Sequence, residues 1–210
     1  IGEAREEKVF RLAQGLRNPA INPLYSEDDA ELFFDNDCAT LAYALRAYFA
    51  YKTRRPFSFI ANKGRRYRYG NRPQRFGDYS QYATFKSLLN NSMSAVSSGH
   101  FRMHVALEGT DTYPVAITSD SIRPGITYYD PGGHVLVVYR VDRVTGDIFM
   151  MDGHPDGTVT LKTFSYRMSR GSRRSGGGFR AWRQYQVLPL EGPNGAFMIS
   201  RELNRDSDHY

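Results

Sequence analysis

His134-Val135-Leu136-Val137-Val138-Tyr139-Arg140-Val141, Asp142-Arg143-Val144-Thr145-Gly146, Asp147-Ile148-Phe149-Met150-Met151-Asp152 is a pair of apolar runs joined by a polar segment that ends in glycine. Runs of this length, rich in β-branched residues and bounded by turn residues, read as the two strands of a hairpin. The first run has no polar alternation, so that strand is expected to be buried on both faces. It therefore lies inside a sheet.

Further strands are expected around this hairpin, at residues 57–60, 101–107, 115–118, 126–129, 158–164 and 184–190. Helical spacing of apolar residues appears earlier: an amphipathic helix near 3–16, a short one from Ser26, one from Cys38 to about Lys52 gripped along Leu41, Ala42, Leu45, Tyr48 and Phe49, and one near 79–96. Helices first and strands later predict an α+β fold. At 210 residues the chain reads as a single domain, 1–210. Two Arg-rich stretches, near 61–78 and 167–183, lack either periodicity and are expected to be mobile or functional loops.

The chain has one cysteine, Cys38, at the head of Asp37-Cys38-Ala39-Thr40-Leu41-Ala42-Tyr43-Ala44-Leu45. A single thiol excludes an intrachain disulfide and a multi-cysteine zinc site. At a helix N-terminus a thiolate is favoured by the dipole, and a nearby imidazolium adds to that. Asp35 and Asp37 oppose it with negative charge, although Asp37 as N-cap would turn its carboxylate toward the helix N–H groups.

Gly133-His134 opens the buried strand. With a turn centred near residue 143 or 144, antiparallel pairing sets His134 against Asp152 or His154, opposite or one diagonal away on the same face. Nucleophile, base and orienter are thus all present: Cys38 to attack a carbonyl carbon, His134 to move the proton, and Asp152, or alternatively His154, to hold the ring. The Cys38 backbone N–H at the helix start would face the developing oxyanion.

At these residues the chain resembles the papain-like cysteine peptidase superfamily, and within it the bacterial NlpC/P60 branch. Asp37-Cys38-Ala39-Thr40-Leu41 is similar to that branch's Asp-Cys-Ser-Gly-Leu motif, and Ile122-Arg123-Pro124-Gly125 followed by Gly133-His134-Val135 is similar to its approach to the catalytic histidine. Ala39-Thr40 in place of Ser-Gly, and a longer stretch between Cys38 and His134, are departures from the pattern. The resemblance implies N-terminal helices packed on an antiparallel sheet. It also implies hydrolysis of an amide bond, through a thioester, in a peptide or peptidoglycan substrate. His at the third position of that branch favours His154; the related transglutaminase-like proteins, which pass the acyl group to an amine, favour Asp152. Tyr25 stands roughly where relatives carry an oxyanion-side tyrosine.

The formal charge is +6, carried mostly by arginine: five of the 28 basic residues are lysine. Charge alone leaves open a non-catalytic module that binds an anionic polymer through the Arg-rich loops. No RRM-type signature accompanies them, so nucleic acid is not an expected partner. His100 and His104 lack an HExxH setting, and His154-Pro155-Asp156-Gly157 reads as a turn, so neither a metal nor another cofactor is expected. No stretch is apolar for the roughly 20 residues that a membrane span needs. The start at Ile1 suggests processing, with a removed signal peptide as one cause, so the expected compartment is periplasmic or secreted.

Overall fold

The computed structural model describes residues 7–55, 57–60, 73–76, 84–92, 96–101, 111–130, 132–168, 177–183, 185–189 and 197–203. The expected hairpin is strands β6 (His134–Val141) and β7 (Ile148–Gly153), closed by Asp142, whose carboxylate accepts from the N–H groups of Val144 and Thr145. It lies within a seven-stranded sheet of order β1-β8-β7-β6-β5-β9-β4, antiparallel at every pairing. The other strands are β1 (Glu7–Arg11), β4 (Thr112–Pro114), β5 (Thr127–Asp130), β8 (Thr158–Thr163) and β9 (Gly178–Trp182). Two-stranded ribbons form from β2 (Phe57–Ile60) with β3 (Pro73–Phe76), and from β10 (Tyr185–Pro189) with β11 (Phe197–Leu203). The fold is α+β.

Among the described residues three helices accompany the strands: α1 (Leu12–Leu16), α2 (Cys38–Thr53) and α3 (Phe85–Ser92). The Asp37 carboxylate accepts the Thr40 N–H at 2.7 Å and so starts α2, a contact worth about 1 kcal/mol. The helix ends at Arg54 in the left-handed region, φ 56°. It packs across β6 and β7, and β6 is buried on both faces over Val135–Val138 but not at His134 or Arg140. Val135 and Val137 enter the core shared with α2, while Leu136 and Val138 enter a second core with Tyr128, Met150 and Phe179.

Several expectations change. Residues 7–11 are strand rather than helix, because Phe10 and its neighbours pair with β8, and only Leu12–Leu16 is helical. The helix expected from Ser26 is a single 3-10 turn, Glu27–Asp29. Strand β4 lies at 112–114 rather than 115–118. Phe101 ends a 3-10 turn, and the rest of the strand expected at 101–107 lies outside the described residues, as does His104. Both expected loops contain strand, β3 in the first and β9 in the second; 61–72, 77–78 and 169–176 lie outside the described residues. β9 places Arg180 at a buried position, where Nε donates to Thr112 Oγ1 at 2.8 Å. Helix α2 is enclosed around most of its girth, since Leu41, Ala42, Tyr43 and Ala44 are all buried, whereas Phe49 is 42% exposed. Among the described residues no helix is long and apolar enough to cross a membrane.

Candidate active site

The N-terminus of α2 sits over the start of β6. Gly133, at φ 106°, turns the chain into the strand by a conformation that favours glycine, with its N–H donating to the Asp130 carbonyl at 2.8 Å. That turn brings two backbone groups under Cys38. The Sγ–H contacts the Gly133 carbonyl at 3.8 Å, and the N–H groups of Val135 and Ala39 point at the sulfur. The backbone on either side of His134 thus brackets the sulfur. On the other flank β7 comes against the helix start at Gly153: a Cβ there would lie 2.6 Å from Asn36 Nδ2 and 2.8 Å from the Asp37 carbonyl oxygen. Only glycine permits this approach.

The imidazole lies elsewhere than over the sulfur. Side chains alternate along a strand, so with Val135 against α2, His134 shares the opposite face with Leu136. The pairing agrees: Leu136 opposes Asp152, which makes His134 and Asp152 diagonal neighbours, and Nδ1 lies 3.6 Å from Asp152 Oδ2. The His134 side chain is 57% exposed and the Asp152 side chain fully buried. Among the described residues no hydrogen bond joins the imidazole to the sulfur.

Asp152 has a second partner that the sequence reading missed. Lys162 Nζ donates to its Oδ2 at 3.1 Å from β8, where Thr160 opposes Asp152 and Lys162 is one diagonal away. A turn centred on Pro155-Asp156-Gly157 fixes that register, so the same arithmetic used for β6 and β7 would have found it. His154 faces β8 as well, its Nε2 3.0 Å from Thr160 Oγ1, and so the carboxylate rather than His154 stands beside His134.

Tyr25 is not at this end of the helix. Its neighbours Leu24 and Ser26 bind Tyr48 and Lys52, which lie about 15 and 21 Å along α2 from Cys38. Asn36, which no sequence motif singles out, is 1% exposed, and among the described residues neither its Nδ2 nor its Oδ1 has a hydrogen-bond partner; Asp152 Oδ1 has none either. Nothing in the local sequence marks Asn36 except its place two residues before the thiol.

The electrostatics reverse one expectation. The Cys38 pKa is raised above its ordinary 9.0, first by burial and then by the negative charges of Asp37 and Asp152, which together outweigh the two N–H groups aimed at the sulfur. The resting group is a thiol, not the thiolate that a helix N-terminus alone would favour. The N–H groups of Cys38 and Ala39 precede the first intrahelical bond, from Leu41 N to Asp37 O, so they remain outside the helix ladder. This corner therefore brings together a protonated thiol, helix N–H groups, and an exposed imidazole with a buried carboxylate on the strand beneath. No protein-family model, curated protein or solved structure matches this chain.

Proposed function

We propose that α2, β6 and β7 form a papain-like core and that the protein is a cysteine hydrolase, cleaving an amide bond in a peptide or cell-wall peptide through a thioester. The observation that carries this reading is the seat of the Cys38 sulfur between the Gly133 carbonyl and the Val135 N–H, directly over the residue that carries the imidazole. His134 is 57% exposed at the first position of β6 but on the face away from α2, so this reading requires the start of β6 to shift and carry the ring from Asp152 toward the sulfur. Substrate binding selects that arrangement, and the imidazole then takes the thiol proton as sulfur attacks the carbonyl carbon.

The S–C bond forms and the N–H groups of Cys38 and Ala39 receive the charge growing on oxygen. The protonated ring gives its proton to the departing amine as the C–N bond breaks. Water, deprotonated by the same ring, then releases the acid and restores the thiol. In the resting arrangement Asp152 holds the ring and shares its carboxylate with Lys162.

Incubation with a panel of peptide amides and stem-peptide fragments, followed by mass spectrometry of the intact protein, tests this reading. An acyl adduct on Cys38 is expected, with turnover reduced at least about a thousandfold in Cys38→Ala and His134→Ala. Asp152→Asn should cost more activity than His154→Ala. Turnover unchanged by Cys38→Ala would overturn the proposal.

A further inference from the structure

Midway along α2 a cavity of about 580 Å³ opens between the helix, the far half of β6 and the ends of β4 and β9. Its size falls within the roughly 300–1,000 Å³ typical of small-molecule sites. Cys38 is not part of its wall, which begins one helical turn further on at Ala42. Val137 and Met151 form an apolar floor, and Phe49, the large apolar side chain that α2 leaves exposed, forms the rim. A hole of this size would be costly were it merely badly packed core. Here it opens to solvent beside an unburied aromatic.

The charged groups of the wall carry one sign. Arg46, Arg55 and Arg123 line the cavity and, among the described residues, no carboxylate does. Arg46 is held in place: its guanidinium lies 4.6 Å from the Trp182 ring centroid and 5.5 Å from that of Phe57, and Nη2 donates to the Arg183 carbonyl at 3.3 Å. Trp182 is itself fixed, its indole N–H donating to the Gly125 carbonyl at 3.1 Å. Three guanidinium groups bordering an apolar concavity offer charged donors where the dielectric is low.

We propose that this cavity binds an amphipathic anion, a molecule with an apolar body and a single carboxylate or phosphate head. The body lies on Val137, Met151 and Phe49, and the head meets Arg46 at the mouth, within the field of Arg55 and Arg123. An ammonium head is repelled by the same three charges, and an uncharged head gains no charge-assisted contact from them. The site stands apart from the thiol chemistry and does not depend on it.

Trp182 is the single tryptophan of the chain and lines this cavity, so its emission arises from one ring at the site. The protein is titrated with decanoate, decyl phosphate and decanol, each below its micelle concentration. A saturable change in emission is expected with decanoate or decyl phosphate, and the stronger of the two identifies the head; decanol binds at least about tenfold more weakly. Arg46→Gln should weaken binding of the anion about tenfold and leave decanol unaffected. If circular dichroism shows Arg46→Gln unfolded, the double variant Arg55→Gln with Arg123→Gln carries the test, with a loss of at least about threefold expected. No saturable change with either anion, equal binding of decanol, or undiminished anion affinity in the folded variants would each overturn the proposal.

Discussion

Lys162 Nζ lies 3.1 Å from Asp152 Oδ2, nearer than His134 Nδ1 at 3.6 Å, so the buried carboxylate is shared between a lysine and the imidazole that the sequence assigns to it. A fully buried carboxylate stripped of its ammonium partner is costly, because the desolvation of the charge remains. Lys162→Met should therefore lower stability by about 1–3 kcal/mol in denaturant unfolding, and Asp152→Asn should remove most of that difference in the double variant. Additive losses would mean that the pair contributes nothing.

Cys38 should alkylate slowly. With burial, Asp37 and Asp152 all holding the thiol protonated, iodoacetamide at pH 7 reacts more slowly than with an exposed model thiol, and the rate keeps rising above pH 9.0. Asp37→Asn separates charge from capping, since asparagine caps a helix about as well as aspartate. It should speed alkylation at fixed pH while changing stability by no more than about 0.5 kcal/mol. An unchanged rate would exclude the Asp37 charge as a cause.

The same group sets the sign of a stability effect at alkaline pH. A raised pKa means that the folded chain holds this proton more tightly than the unfolded one, so the contribution is complete below about 9.0 and is lost as pH rises through the folded value. Tyr128, pushed up to about 12 by burial and the charge of Asp130, acts in the same direction further up the scale. The urea midpoint should fall as pH is raised above 9, and Cys38→Ala should flatten the first part of that fall. A midpoint that rises instead would contradict the sign.

What the sequence made legible follows from what is local. The β6–β7 hairpin could be read because its turn and its apolar runs adjoin, and Leu136 opposing Asp152 lies within the expected register. Which face of β6 meets α2 could not be read, because Val135–Val138 are apolar on both faces and the periodicity carries no preference. The parity that brings His134 to Asp152 is therefore the same parity that turns it away from the helix. β9 is not legible in the sequence because Arg180 occupies a core position, made tolerable by bonds that include those of its guanidinium to Thr112, distant in sequence. Val9, Phe10 and Leu12 also fit a helical stripe, so the sequence alone predicts a helix where β1 lies; pairing with β8 decides for strand.

Gly153 is the residue on which the whole corner rests. It ends β7 immediately after Asp152 and touches the start of α2, where an added methyl would meet Asn36 Nδ2 at 2.6 Å, the Asp37 carbonyl oxygen at 2.8 Å and Leu41 Cβ at 3.0 Å. The amide of Asn36 belongs to a buried side chain, and the other two contacts are the N-cap carbonyl and a side chain of the first helical turn, so the strain is relieved by lifting the N-terminus of α2 off the sheet. Gly153→Ala should cost about 1–3 kcal/mol, the usual range for overpacking. Lifting the helix also draws the sulfur from the Val135 N–H and opens it to water. Relief of burial lowers the thiol pKa and loss of the N–H bond raises it; burial is the larger cause, so alkylation of Cys38 should be faster in Gly153→Ala than in the parent chain. A stability loss with no change in alkylation rate would show that the strain is absorbed in β7 rather than at the helix.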